Sequence, residues 1–361
     1  MRPGQALRWD AEEDGLSLLP FRASSPIVWT PAEGGLISFR LARSGRAQQG
    51  KAAHAALLDA ANRGATLAEA VADAQRAMPE APGSVLRHLA RHFLFALHRE
   101  GMVDIATPEA PRVFAGRYER VRELGRGAEG IAWLCHDLGH QGHAMVVKHA
   151  WNFVQPFADA EAGLRREGAC LAGLDHPGVV RWIGAFEEEG RYHVARAFVE
   201  GPDLATLREH GPLPAEERRA RLRELASAVA HAHARGWLLV DLKPNNALLD
   251  RQGRAVISDV GLACLHERGL ATAPGVGGAL YTAPEVVQRR AASVASDLWG
   301  LGRIAFYLAT GRHARPDEAP AALAAELRTS GAAAEAALVE ATGDADPAKR
   351  LGSAEGALAL L

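Results

Sequence analysis

The segment WLLVDLKPNNALLD (residues 237–250) constrains this chain most, because it sets three chemically distinct polar side chains inside an otherwise apolar run. WLLV and ALLD each have the length and composition of a short buried strand, and DLKPNN between them is a loop. Asp241, Lys243 and Asn246 are therefore held at fixed offsets at the mouth of a core. A carboxylate, an ammonium and an amide so placed can form a site.

The body that carries them can be large. At 361 residues, 48% of them apolar, the chain can bury the cores of two or three domains. A net charge of −2 gives no electrostatic case for nucleic acid or a membrane surface as principal partner. Cys135, Cys170 and Cys264 lie far apart with no C-x-x-C, so neither a disulfide framework nor a thiolate metal site is expected. The start MRPGQALRWDAEEDG has no apolar signal region and no later run reaches membrane-spanning length, so a soluble cytoplasmic protein is the expectation.

ATPEAPRV (106–113) separates two regions of different patterning. Before it, SPIVWTP and LISFRLA flank AEGG, and Ile37, Phe39 and Leu41 alternate with polar residues as in a β-hairpin. Three helices are expected next. KAAHAALLDAANRG closes at Gly64, and TLAEAVADAQRAM opens with Thr66 and Glu69 at capping-box spacing. SVLRHLARHFLFALHREG carries Leu86, Leu89, Phe93 and Leu97 on one face and stops at Gly101, before a strand MVDI. Hairpin, three helices and strand make a winged-helix-like order for residues 1–105, with 106–117 as a linker. From residue 118, strands joined by tight turns, HDLGHQG among them, run to AMVVK; beyond Pro212, helical stretches such as AEERRARLRELASAVAHAHARG and ASDLWGLGRIAFYLATG dominate. The fold class is α+β, a β-rich part preceding an α-rich one.

LGRGAEG places Gly125, Gly127 and Gly130 between two strands rather than between a strand and a helix. That context disfavours a dinucleotide site and favours a flap whose backbone N–H groups approach phosphate oxygens. Lys148 ends an apolar strand and needs a counter-charge, which Glu167 in the helical stretch EAGLRREGACLAGL is placed to provide.

With these residues in order, the chain from about Tyr118 to its end resembles the eukaryotic-like, bacterial-type serine/threonine protein kinase family. LGRGAEGIA is similar to its glycine-rich loop, VVK to its strand-three lysine, RREG to its αC glutamate, DLKPNN to its catalytic loop and SDVG to its metal-binding D-F-G. TAPE (282–285) is similar to A-P-E, SDLWGLG to the central helix, and DPAKR brings Arg350 as partner for Glu285. The resemblance implies a bilobal kinase-like fold over residues 118–361, ATP and Mg2+ as cofactors, and phosphoryl transfer to Ser/Thr hydroxyls of a protein or peptide. It assigns Asp241 to the hydroxyl proton, Lys243 to the transferring phosphate, and Lys148, paired with Glu167, to the α/β-phosphates. Gly125, Gly127 and Gly130 would cover the nucleotide, and Asn246 with Asp259 would hold magnesium.

The departures carry expectations too. H-R-D reads Leu239, Val240, Asp241, so no arginine awaits an activation-loop phosphate, whereas Asp259, Val260, Gly261 keeps the metal ligand of D-F-G. Ala132 replaces the valine after the glycine loop, and Gly278 replaces a threonine that contacts the catalytic loop, which weakens protein-substrate docking. Arg196, or Ala195 on a one-residue shift, falls where the family guards its adenine pocket. An ATP-binding pseudokinase scaffold and a small-molecule kinase are the alternative functions. Residues 27–105 are more loosely similar to PqqD-like peptide-recognition elements, which take a leader peptide as an added strand; a module that braces the kinase or dimerises is the alternative. DNA binding ranks last, since residues 1–115 offer no basic recognition helix. His88 and His92 read as a helix face rather than a zinc pair, and Cys264 is the thiol to test for reactivity.

Overall fold

A computed structural model of the chain describes residues 21–32, 36–41, 47–99, 102–105, 111–127, 130–150, 157–266, 270–272, 280–288 and 291–361. They form two compact units. The first contains β1 (Phe21–Ala23), β2 (Trp29–Ala32), β3 (Leu36–Arg40), β4 (Ala47–Gly50), α1 (Ala52–Arg63), α2 (Leu67–Ala77), α3 (Gly83–Arg99) and β5 (Val103–Ile105). The expected hairpin is β2–β3, antiparallel with Trp29 opposite Phe39. Two strands were not anticipated. AQQG of β4 lacks alternation yet completes a three-stranded sheet against β3, and the three-residue β1 pairs with β5, Phe21 opposite Ile105. Neither run is long enough to show a period of two by itself; the partner strand decides both.

The helix ends follow local chemistry. Gly64 closes α1 at φ 71°, a left-handed turn that glycine adopts without strain. At the start of α2, Thr66 N donates to Glu69 Oε2 (2.7 Å) and Glu69 N to Thr66 Oγ1 (3.3 Å), the reciprocal pair expected from their spacing. The face of α3 differs from expectation. Its buried stripe is Leu86, Ala90, Leu94 and Leu97, while Leu89 and Phe93 are only half-buried at its margin. Apolar residues on both sides of the helix leave its rotation to tertiary packing. Gly101, named as its stop, lies outside the described residues.

The second unit, which leaves residues 126–131 and 150–161 to the first, opens with β6 (Val113–Phe114), β7 (Tyr118–Arg126), β8 (Gly130–Asp137), β9 (His143–Ala150), α4 (Phe157–Gly173), β10 (Trp182–Glu188) and β11 (Arg191–Ala197), whose strands form one sheet in the order β10-β11-β9-β8-β7-β6. Then come α5 (Leu204–Glu209), α6 (Ala215–Ala234), β12 (Trp237–Leu238), β13 (Ala247–Leu249), β14 (Ala255–Ile257), β15 (Cys264–Leu265), β16 (Leu270–Thr272), α7 (Pro284–Val287), β17 (Ala291–Ser293), α8 (Val294–Thr310), α9 (Pro320–Thr329), α10 (Ala333–Thr342) and α11 (Ala354–Leu360). A sheet-rich half thus precedes a helical half. Buried α8 runs through the helical half, and its glycines explain how: a Cβ on Gly302 would lie 2.1 Å from Thr342 Oγ1, and one on Gly300 3.0 Å from Leu242 Cβ. Only glycine lets this helix approach α10 and the DLKPNN loop so closely. Among the described residues, no helix is long and apolar enough to cross a membrane.

Candidate active site

Strand alternation sets the first half of the site. In the β9–β11 ladder Lys148 is opposite Val194 and Val146 opposite Arg196, so Lys148 and Arg196 share one sheet face. His149, opposite His193, takes the other face and accepts from Trp133 Nε1 at 3.0 Å. Ala195 faces away with Val147, so the residue beside Lys148 is Arg196. Helix α4 presents fully buried Glu167, whose Oε2 accepts from Lys148 Nζ at 2.6 Å. The same ammonium reaches Asp259 Oδ1 at 3.4 Å. Surrounding protein would push the Asp259 carboxyl up; Lys148 and Arg196, with the Gly261 N–H and Lys243, outweigh this and hold it well below the usual carboxylate range.

The DLKPNN loop supplies the second half. Asp241 Oδ2 accepts from Lys243 Nζ at 2.5 Å and from Asn246 Nδ2 at 3.0 Å. The same amide nitrogen also donates to the Asp241 carbonyl at 3.0 Å. Antiparallel β13–β14, with Ala247 opposite Ile257, sets Asn246 across from Ser258, whose N–H donates to the Asn246 carbonyl at 2.8 Å. Asp259 follows by one residue, so two hairpin strands fix both proposed metal ligands.

One buried residue that the motif offsets did not single out organises this loop. Asp297, in the first turn of α8, accepts from Leu239 N (2.8 Å) and Val240 N (2.7 Å), and its Oδ2 lies 2.8 Å from His233 Nε2. Val240 sits at φ 67°, a conformation a β-branched residue adopts only when held there. Asp297 holds it, and so aims Asp241.

Matched as a whole, residues 118–350 fit the family model for the protein kinase domain. The chain belongs to the protein kinase family. Serine/threonine-protein kinase PrkC of Bacillus subtilis is 30% identical over 207 residues, which cover 55% of this chain and 31% of PrkC. The probable serine/threonine-protein kinase PknB of Lactococcus lactis is 30% identical over 204 residues (56% and 32%), and human ribosomal protein S6 kinase alpha-1 is 34% identical over 203 (54% and 27%). The matched part thus spans about a third or less of these relatives.

The expected pairing of Glu285 with Arg350 holds: two guanidinium nitrogens donate to its two oxygens at 2.8 Å each. Val240, where the family has its arginine, is buried in an apolar cluster with Leu238, Cys264, Ala283 and Trp299. Cys264 does not fit a reactive thiol. It is 8% exposed, and burial together with the Asp297 charge pushes its pKa up to about 11. Gly127 N–H donates to the Gly130 carbonyl at 2.8 Å. His88 and His92 lie ring against ring at 4.1 Å, and no group of three or more His, Cys, Asp or Glu able to hold a metal occurs among the described residues. Gly278 lies outside them.

Proposed function

We propose that this protein transfers the γ-phosphoryl group of ATP to Ser/Thr hydroxyls of a protein or peptide. One observation carries the reading: Lys148 joins Glu167 and Asp259 at 2.6 and 3.4 Å while Lys243 and Asn246 both donate to the Asp241 carboxylate, an arrangement that suits such a transfer. A scaffold that only binds nucleotide has no need of Asp241 and Lys243.

The residues fit the nucleotide and its metal. Among the described residues a Cβ on Gly125 meets nothing within 4 Å, so their packing does not require glycine there, whereas close approach of a phosphate would. Asn246 commits its amide nitrogen to Asp241, which leaves its carbonyl oxygen, with the Asp259 carboxylate, as hard oxygen donors of the kind magnesium takes. When bound, Mg2+ neutralises charge on the phosphates. Lys148 holds the α/β-phosphates. Asp241 accepts the proton of the attacking hydroxyl as its oxygen bonds to the γ-phosphorus and the bond to the bridging oxygen breaks, releasing ADP; Lys243 offsets charge on the transferring group.

Residues 1–105 are read as a winged-helix-like domain, joined by 106–117 to the kinase domain at 118–361, that recruits the acceptor. In support, β2 and β4 are both sheet edges among the described residues, and exposed Val28 stands beside Ile27 and Phe39 in a groove of about 530 Å³. An extended peptide could add to such an edge and seat alternate side chains in the groove, as in the PqqD-like elements.

Mapping of autophosphorylation by mass spectrometry with labelled ATP tests the reading. Asp241→Asn is expected to lower transfer by about 10²- to 10⁴-fold with nucleotide affinity kept. Unchanged turnover would sink the assignment, and nucleotide binding with no transfer by the native chain would favour the pseudokinase. Val28→Asp is expected to raise the acceptor KM and spare kcat; unchanged KM leaves bracing or dimerisation as the role of residues 1–105.

A further inference from the structure

Arg196 is the one charged group of the site that no motif accounts for. The β9–β11 register turns it onto the face of Lys148, where its side chain is 11% exposed. Its Nε lies 4.0 Å from Glu167 Oε1. Both atoms are buried and neither has a hydrogen-bond partner. The other carboxylate oxygen of Glu167 is already bonded to Lys148. A buried carboxylate oxygen and a buried guanidinium N–H are each costly to leave unbonded, and here the two deficits face each other. Closure by about 1 Å brings them to the length of a charge-assisted hydrogen bond.

We propose that Arg196 is a positioning residue for Glu167: it closes onto Oε1, so that one carboxylate bridges Lys148 and Arg196 and the part of α4 carrying Glu167 is fixed to the sheet by two cations. The second cation keeps the Lys148–Glu167 pair assembled without help from a phosphorylated activation segment, which suits a loop that has Val240 in place of an arginine. The consequence for turnover rests on the phosphotransferase reading; the pairing itself does not.

The test uses the full chain without nucleotide and reads amide hydrogen exchange across residues 162–173 by mass spectrometry. The unfolding midpoint and the affinity for a non-hydrolysable ATP analogue with Mg2+ are measured beside it. Arg196→Met is expected to speed exchange in that segment about tenfold and to weaken the analogue about tenfold, the loss of one charge-assisted hydrogen bond. Arg196→Lys should recover part of both. In a Glu167→Gln background, Arg196→Met should add less than about twofold, because the acceptor charge is already gone. The proposal is overturned if Arg196→Met leaves the exchange unchanged and raises the unfolding midpoint, which is what replacing an uncompensated buried cation by an apolar chain does. A full tenfold effect persisting in the Glu167→Gln background overturns it equally. Should Arg196→Met fail to fold, Arg196→Gln takes its place with the same readouts. If the native chain binds no nucleotide while the exchange pattern appears as stated, the phosphotransferase reading fails and the pairing stands.

Discussion

Two buried ion pairs in the same unit differ in how completely they are satisfied. Glu285 meets Arg350 through two parallel bonds of 2.8 Å, and Ser296 Oγ donates to it at 2.8 Å. The Arg350 guanidinium bonds the carbonyls of Asp344, Ala295 and Ala345 as well, and stands over the Trp299 ring at 4.8 Å. Glu167 has Lys148 on one oxygen and no hydrogen bond on the other, while Lys148 divides itself between Glu167 and Asp259. A pair whose lone pairs and protons are all engaged has one arrangement and serves stability. A pair left incomplete keeps capacity for something else to bind, and in this protein it lies on the sheet face that Lys148 shares with Arg196.

The strongest way to break that contrast is to remove one member of each pair. Glu285→Ala strands a guanidinium whose side chain is fully buried, and a loss of about 3–5 kcal/mol in unfolding free energy is expected. Glu167→Gln keeps shape and removes charge; it should lower turnover at least about tenfold while costing less stability than the first change. Denaturant unfolding and initial rates on both variants decide it. If Glu285→Ala is benign, or Glu167→Gln is the more destabilising of the two, the division into structural and working pairs is wrong. Acid should act on the first pair in the same sense. Burial would raise the Glu285 carboxyl, but Arg350 and Ser296 hold it below its ordinary value of 4.5. Its stabilisation is therefore complete above that value and is lost as pH falls through the depressed one.

How far this was legible depended on whether a residue's partner is near in sequence. Asp241, Lys243 and Asn246 stood out as polar groups in an apolar run, and Lys148 and Glu167 as a charge and its counter-charge at strand and helix positions. The capping pair Thr66 and Glu69 needed only three residues of context. Asp297 was hidden: an acid in the first turn of a helix reads as a favourable dipole contact, and nothing local tells that it reaches back 57 residues to Val240. Arg196 was ambiguous by one residue until the β9–β11 register chose its face, since a slip of one exchanges every side chain between faces. The rotation of α3 is not legible locally because both flanks are apolar.

A buried ionisable group outside both pairs sharpens the contrast because no opposite charge faces it among the described residues. His193 is 4% exposed, stacks on Phe186 with ring centroids 4.7 Å apart, and its Nδ1 donates to the Arg191 carbonyl at 3.1 Å. Burial pushes its pKa down to about 4 from 6.5, only partly offset by that carbonyl. Between these values the unfolded chain binds a proton that the folded chain refuses, so stability is complete above pH 6.5 and falls as pH drops toward 4. The loss is about 3 kcal/mol across that window. His193→Phe should flatten this part of the profile relative to the native chain. Identical pH dependence of the two would mean that the imidazole is protonated in the folded state.

The smallest expected effect concerns the switch that the family places beside the working pair. An activation-segment phosphate needs a cation to receive it, and at that place the chain has Val240, 6% exposed and packed on Leu238, Ala283 and Trp299. The candidate acceptors close to the loop are no better placed. Tyr281 is 8% exposed, with its hydroxyl 2.7 Å from His313 Nδ1, and Thr282 is 4% exposed, so phosphate on either would first have to disrupt packing. If the Lys148–Glu167 pair is instead kept assembled by Arg196, turnover should be indifferent to phosphorylation at Thr272, Tyr281 or Thr282. Phosphatase treatment of purified protein is expected to change the initial rate by less than about twofold. A large loss on dephosphorylation, restored when one of those residues is rephosphorylated, would show that the incomplete pair is completed from the activation segment, and Arg196 would then need another role.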